Sequence, residues 1–131
     1  MITRIVSIIL LFALGFYAAA YDPGRFEREV LVPGSRDALQ LEVLANGDIV
    51  FVEFAGGVKR WDAKSKNVIT LGRVPTYAKG EVGLLGFAVS PNFMKNGQLF
   101  TLHCPSAKQD TMRVSRFVVK GDVMDVKGEE V

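Results

Sequence analysis

The stretch Asn46-Gly47-Asp48-Ile49-Val50-Phe51-Val52-Glu53-Phe54-Ala55-Gly56-Gly57-Val58-Lys59-Arg60-Trp61 decides the fold class. Asn46-Gly47 is the dipeptide that tolerates positive φ at both centres of a tight hairpin turn. Ile49 to Phe54 is β-branched and aromatic with little alternation, the composition of a strand buried on both faces. Gly56-Gly57 turns the chain into a third strand, Val58-Lys59-Arg60-Trp61. Upstream, Ala38 to Leu44 alternates apolar and polar residues for most of its length. Downstream, Asp62 to Asn67 is a polar connection into Val68-Ile69-Thr70-Leu71. Together these make a four-strand meander joined by turn chemistry. No amphipathic helix is visible after residue 20.

The meander then begins again. Leu84-Leu85-Gly86-Phe87-Ala88-Val89 reads as a second innermost strand, ended by Ser90-Pro91. Asn96-Gly97 precedes Gln98-Leu99-Phe100-Thr101-Leu102 much as Asn46-Gly47 precedes Ile49 to Val52, 50 residues earlier. Arg116-Phe117 echoes Arg60-Trp61 at a separation of 56. A four-strand unit recurring at about 50 residues is the pattern of a propeller blade. The first blade is expected over about 29–73. A partial second is expected over about 80–131, its third strand ending at Val118-Val119-Lys120-Gly121-Asp122. The tail Val123–Val131 could start a fourth strand, with nothing to close it. About one and a half blades would expose the apolar face of the Ile49–Phe54 strand, so the sequence reads as truncated.

The first residues address export. Arg4 is the only charge before Asp22, an apolar run covers Ile5 to Phe16, and Ala18-Ala19-Ala20 offers small residues for cleavage before Tyr21. That is the layout of a secretory signal over residues 1–20, and Ile5 to Ala20 is shorter than the roughly 20 apolar residues that span a bilayer. A periplasmic or secreted location without stable membrane insertion follows as an expectation. Removing residues 1–20 lowers the formal charge from +2 to +1, and the basic residues are scattered. Neither nucleic acid nor an anionic membrane is favoured as a partner. Cys104 is the sole cysteine, so no intrachain disulfide and no cysteine-based metal site can form.

The stretch from Gly80 to Phe93, Gly80-Glu81-Val82-Gly83-Leu84-Leu85-Gly86-Phe87-Ala88-Val89-Ser90-Pro91-Asn92-Phe93, resembles the signature that opens the second blade in the glucose/sorbosone dehydrogenase family. Val89 stands where that signature usually has Phe. Asn96 to Phe100, Arg113 to Phe117 and the hairpin from Leu41 to Trp61 are similar to neighbouring family strands, so the likeness runs from near Glu29 to Asp122.

The resemblance implies an all-β, six-bladed propeller whose best-known members oxidise sugars with pyrroloquinoline quinone (PQQ) and calcium. It also implies that the catalytic histidine, in a His-x-x-Gly motif, and the residues gripping the quinone lie beyond this chain. The matching position to Glu81 carries a glutamine near the substrate in those enzymes. Glu81 is therefore the candidate pocket residue, where a carboxylate would accept hydrogen bonds from sugar hydroxyls. Gly80, Gly83 and Gly86 are expected to serve loop geometry and close backbone approach. Their spacing is not that of a dinucleotide cradle.

His103, the only histidine, falls at a strand end and does not match the catalytic position, so local hydrogen bonding is its expected role. His103 and Cys104 should point to opposite sheet faces and form no metal pair. Three functions share these features: a quinone-dependent sugar dehydrogenase, a non-catalytic binding propeller like the hedgehog-interacting proteins, and a propeller passing electrons to a haem c domain or protein.

Overall fold

A computed structural model describes residues 23–25, 27–107 and 110–131, so the expected signal peptide over 1–20 lies outside the described residues. After a 3-10 turn at Pro23–Arg25, the chain forms β1 (Ala38–Val43), β2 (Ile49–Glu53), β3 (Gly57–Trp61) and β4 (Val68–Arg73). It continues through β5 (Leu84–Val89), a single helical turn α1 (Phe93–Asn96), β6 (Gln98–His103), β7 (Arg113–Lys120) and β8 (Val123–Glu130). The strands make two four-stranded antiparallel meanders, β1 to β4 and β5 to β8, each in sequence order. Among the described residues no helix is long and apolar enough to cross a membrane.

The internal repeat is structural as well as sequential. β1 carries a bulge between Ala38 and Gln40 opposite Val52 and Glu53, and β5 carries one between Leu84 and Gly86 opposite Leu102 and His103. The 50-residue offset maps Val52 onto Leu102 and Glu53 onto His103, so the same irregularity recurs at the same place in both units. The two Asn-Gly pairs share a role but not a shape. Asn46 Oδ1 accepts the Asp48 N–H at 3.2 Å, and Asn96 Oδ1 accepts the Gln98 N–H at 3.0 Å, each setting up the strand that follows. Around Asn46, however, only Gly47 takes a positive φ, and its N–H bonds to the Leu44 carbonyl. This is the three-residue loop with a terminal left-handed glycine rather than a two-residue turn. Asn96-Gly97 instead ends α1, which the sequence did not reveal because one turn is too short to show a period.

The sheets pack face to face, β1 against β5 and β4 against β8. Val50, Val52, Val58 and Leu71 of the first sheet meet Leu84, Phe87, Leu99, Phe117 and Met124 of the second in one core. The fit is close at the outer strands, where a Cβ on Gly72 would lie 3.0 Å from Met124. Polar links stitch the seam. The Gln40 amide oxygen accepts the Phe87 N–H at 3.0 Å, covering the open edge of β5, and Arg60 reaches Asp122 at 2.6 Å in the β7–β8 turn.

Two expectations are corrected. The second unit does not stop at its third strand, because β8 pairs with β7 and completes the sheet. The sequence hid it: pairing jumps from Val118↔Asp125 to Arg116↔Glu130, and Asp125 accepts the Gly128 N–H, so β8 is interrupted rather than alternating. Nor is the Ile49–Phe54 strand left bare. Phe51 is buried, and Leu31 and Val32 from the preceding segment line the groove above it with Trp61. Exposure moves to β1, where Leu39 is 51% and Val43 65% accessible, and to the far face of the second sheet, where Val114 is 61% accessible.

Gly97 tests the seam within the second sheet. It has φ +62 and a Cβ there would collide with the Val119 carbonyl, whereas Gly34 has φ +77 and open space around it. Gly34→Ala should cost about 1 kcal/mol from backbone strain alone. Gly97→Ala should cost more than about 2 kcal/mol, because a backbone must also shift. Urea midpoints of the two variants check this, and equal losses would contradict it.

Candidate functional site

The connection from β4 to β5, Val74 to Gly83, crosses from the outer strand of one sheet to the inner strand of the next. Its centre is a tight turn: the Lys79 N–H donates to the Val82 carbonyl at 2.9 Å and the Val82 N–H returns to the Lys79 carbonyl at 3.2 Å. Gly80 and Glu81 are the two residues at the tip. Gly80 has φ +62, the glycine requirement at the first central position of a hairpin turn of this kind. Glu81 is exposed and makes no hydrogen bond or ion pair with any described residue. Its carboxylate is presented to solvent with its acceptor capacity unused.

The base of the loop is rigid. A Cβ on Gly83 would come within 2.5 Å of the Phe54 ring, so only glycine lets the β2–β3 turn close on the loop. The Leu84 N–H donates to the Phe54 carbonyl at 3.0 Å, and the Cys104 N–H donates to the Gly83 carbonyl at 2.9 Å. Gly86 occupies the β5 bulge, where a Cβ would press on Leu102 at 3.1 Å.

Two hollows lie away from Glu81. One of about 470 Å³ is lined by Asn46, Asp48, Arg60, Lys95, Asn96 and Lys120 near the β1–β2 and β7–β8 turns. The apolar groove beside Leu31 holds about 290 Å³. Among the described residues no three His, Cys, Asp or Glu side chains gather as a metal site.

His103 is 1% exposed, far from a substrate-accessible position. Thr101 Oγ1 lies 3.1 Å from its Nδ1, matching local bonding, but a longer-range partner is also present. Glu129 from β8 places Oε1 3.7 Å from His103 Nε2, 3.3 Å from Arg113 and 2.5 Å from the Ser115 hydroxyl that donates to it. Sequence reading missed this cluster because Glu129 lies on the interrupted strand. The signal for Thr101 was there, since residues two apart share a sheet face. Burial pushes the His103 imidazole below its ordinary value; Glu129 opposes that and Arg113 adds to it. For Glu129, burial acts to raise the carboxyl, but the hydrogen bonds from Ser115 and Arg113 prevail and hold it below the usual range.

The sign of the pH effect follows. A lowered His103 value means the folded state favours neutral imidazole, so its contribution is full above about pH 6.5 and declines as acid protonates the unfolded chain first. Glu129 adds a separate loss at lower pH, as its carboxylate is protonated. The urea midpoint should therefore fall between pH 7 and 5.5, and His103→Gln should flatten that part of the profile. An unchanged slope in the variant would exclude His103 as its source.

Comparison with known proteins gives these features a context. Residues 36–131 match the family model described as Glucose / Sorbosone dehydrogenase. The PQQ-bound aldose sugar dehydrogenase of Streptomyces coelicolor is similar at 26% identity and TM-score 0.63, over 70% of this chain and 27% of that one. A Thermus thermophilus protein assigned as a glucose dehydrogenase shares the fold at 23% identity and TM-score 0.63, over 73% of this chain and 29% of its own. The chain spans less than a third of either structure. No curated protein sequence matches it. With the match covering both sheets, the chain belongs to the glucose/sorbosone dehydrogenase family.

Proposed function

We propose that this chain supplies two adjacent blades of an exported, PQQ-dependent sugar dehydrogenase-like oxidoreductase. The observation that carries the reading is the likeness of 70% of this chain to a PQQ-bound aldose sugar dehydrogenase. The quinone, when bound, supplies the two-electron acceptor for oxidation of a sugar hydroxyl. Calcium belongs to the same reading, with its ligands and the general base contributed from outside this chain. His103 is too buried to take a proton from substrate.

Within this chain the role falls to the Lys79–Val82 turn. Glu81 accepts hydrogen bonds from sugar hydroxyls and orients the ring; an ionised carboxylate can only accept, so it selects for donating groups. Gly80 holds the turn open, and Gly83 lets the loop sit tightly on Phe54. Electrons leave to an acceptor such as a haem c domain or protein.

These residues alone should not turn over substrate, so the test uses the chain completed by the remaining blades of its propeller and loaded with PQQ and calcium, with a panel of aldoses and a dye acceptor. Sugar-dependent dye reduction is expected, and its absence across the panel would refute the reading. Glu81→Ala should raise KM about ten- to a hundredfold, since a hydrogen bond to a charged group contributes about 1.5–3 kcal/mol. An unchanged KM would remove Glu81 from the pocket. Protein isolated from its host should begin at Tyr21, which an intact-mass measurement checks.

A further inference from the structure

The loop that presents Glu81 is fastened by the backbone of one residue, Cys104. The Cys104 N–H donates to the Gly83 carbonyl at 2.9 Å, holding the loop's end. The Cys104 carbonyl accepts the Tyr77 N–H at 2.8 Å and the Thr76 hydroxyl at 2.7 Å, holding its start. Both lone-pair directions of that oxygen are thus used on the same loop. A short ladder continues outward, with Thr76 bridged to Pro105 and the Ser106 N–H donating to the Pro75 carbonyl at 3.2 Å.

Thr76 and Pro105 form a non-hydrogen-bonded antiparallel pair, whose two backbone bonds come from the flanking residues, Tyr77 to Cys104 and Ser106 to Pro75, so the missing proline N–H costs the ladder nothing. The Thr76 hydroxyl adds a bond one residue earlier, on the Cys104 carbonyl, beside the backbone bond from Tyr77. Only Tyr77 and Ala78 separate Thr76 from the Lys79–Val82 turn, so slack at this foot passes to the tip. With Cys104 and Gly83 buried and Phe54 closing on Gly83, the opposite end cannot give instead.

We infer that Thr76 is a positioning residue: its hydroxyl, with the backbone N–H and carbonyl of Cys104, fixes the turn that aims Glu81 at its ligand. That the ligand is a sugar rests on the function proposed above. The threonine touches no substrate and acts through Glu81.

The experiment compares Thr76→Val, which keeps the shape and removes the hydroxyl, with Thr76→Ser, which restores it. Hydrogen exchange is read at the Tyr77 and Cys104 amides, and KM and kcat for D-glucose are measured on the completed, loaded protein. Thr76→Val should speed exchange at Tyr77 about three- to tenfold, the worth of one hydrogen bond. KM should rise by a similar factor with kcat within about twofold, and Thr76→Ser should return both to the parent values. Unchanged exchange in Thr76→Val, a loss confined to kcat, or failure of Thr76→Ser to rescue would overturn the assignment. If the parent protein oxidises no aldose, the sugar reading falls by itself, and exchange at Tyr77 still decides whether the hydroxyl holds the loop.

Discussion

The whole fold hangs on the seam between the two sheets. A lone four-stranded meander with apolar residues on both faces has too little to bury itself against. The valine wall of Val50, Val52 and Val58 finds its counterpart in Leu84, Phe87, Leu99 and Phe117, all within one core. The seam also sets where the β4–β5 connection begins and ends. Once β4 lies on β8 and β1 on β5, Val74 and Gly83 are both fixed at the β2–β3 turn, Val74 on Gly56 and Gly83 on Phe54. The connection has only the intervening residues to fold into a turn. The Glu81 tip is therefore a consequence of sheet packing before it is a feature of the loop.

Much of that was legible. Val50-Phe51-Val52 reads as doubly buried because nothing in it suits solvent, and the structure buries all three. The repeat was visible through Asn46-Gly47 and Asn96-Gly97, whose side chains do the same work in differently shaped turns. What escaped was non-local. β8 is held by pairing to β7 and by Met124 seating on Gly72, not by its own alternation. Glu129 comes to His103 only after that pairing forms, across 26 residues of sequence. At the candidate site, Gly80 and Glu81 could be placed on a loop from glycine spacing alone. The fastening of that loop could not, because it depends on the backbone of Cys104, just past the end of β6, and backbone hydrogen bonds leave no mark in a sequence.

The polar cluster of Thr101, His103, Ser115 and Glu129 shares the face of the second sheet that carries Leu99 and Phe117. Groups of this kind are costly to bury unless each is bonded. Thr101 is 3.1 Å from the imidazole and Ser115 donates to Glu129, so the cluster answers its own demand. It also favours one register of β8 against β6 and β7, since a slip of that strand would separate bonded partners while an apolar contact could re-form elsewhere. His103 directly precedes the residue whose backbone fastens the loop. Its fixed position at the end of β6 is therefore one of the constraints that define where that backbone points.

The outward faces extend the same logic. Alternation puts Phe100, Leu102 and Val114 on the side of the second sheet turned away from the seam, and the repeat aligns them with Val50, Val52 and Val58. The second sheet thus offers outward the same set of positions that the first sheet offers to it. In the opposite direction, Ile49 and Trp61 align with Leu99 and Phe117, which are buried in the seam. A unit whose two faces are complementary in this directional way is built for continuation in one sense of rotation, the geometry from which propellers are made. The partial exposure of Phe100, Leu102 and Val114 is then part of the design of the repeat rather than a defect of this sheet. The apolar groove under Leu31 and Val32 marks the corresponding surface at the other side.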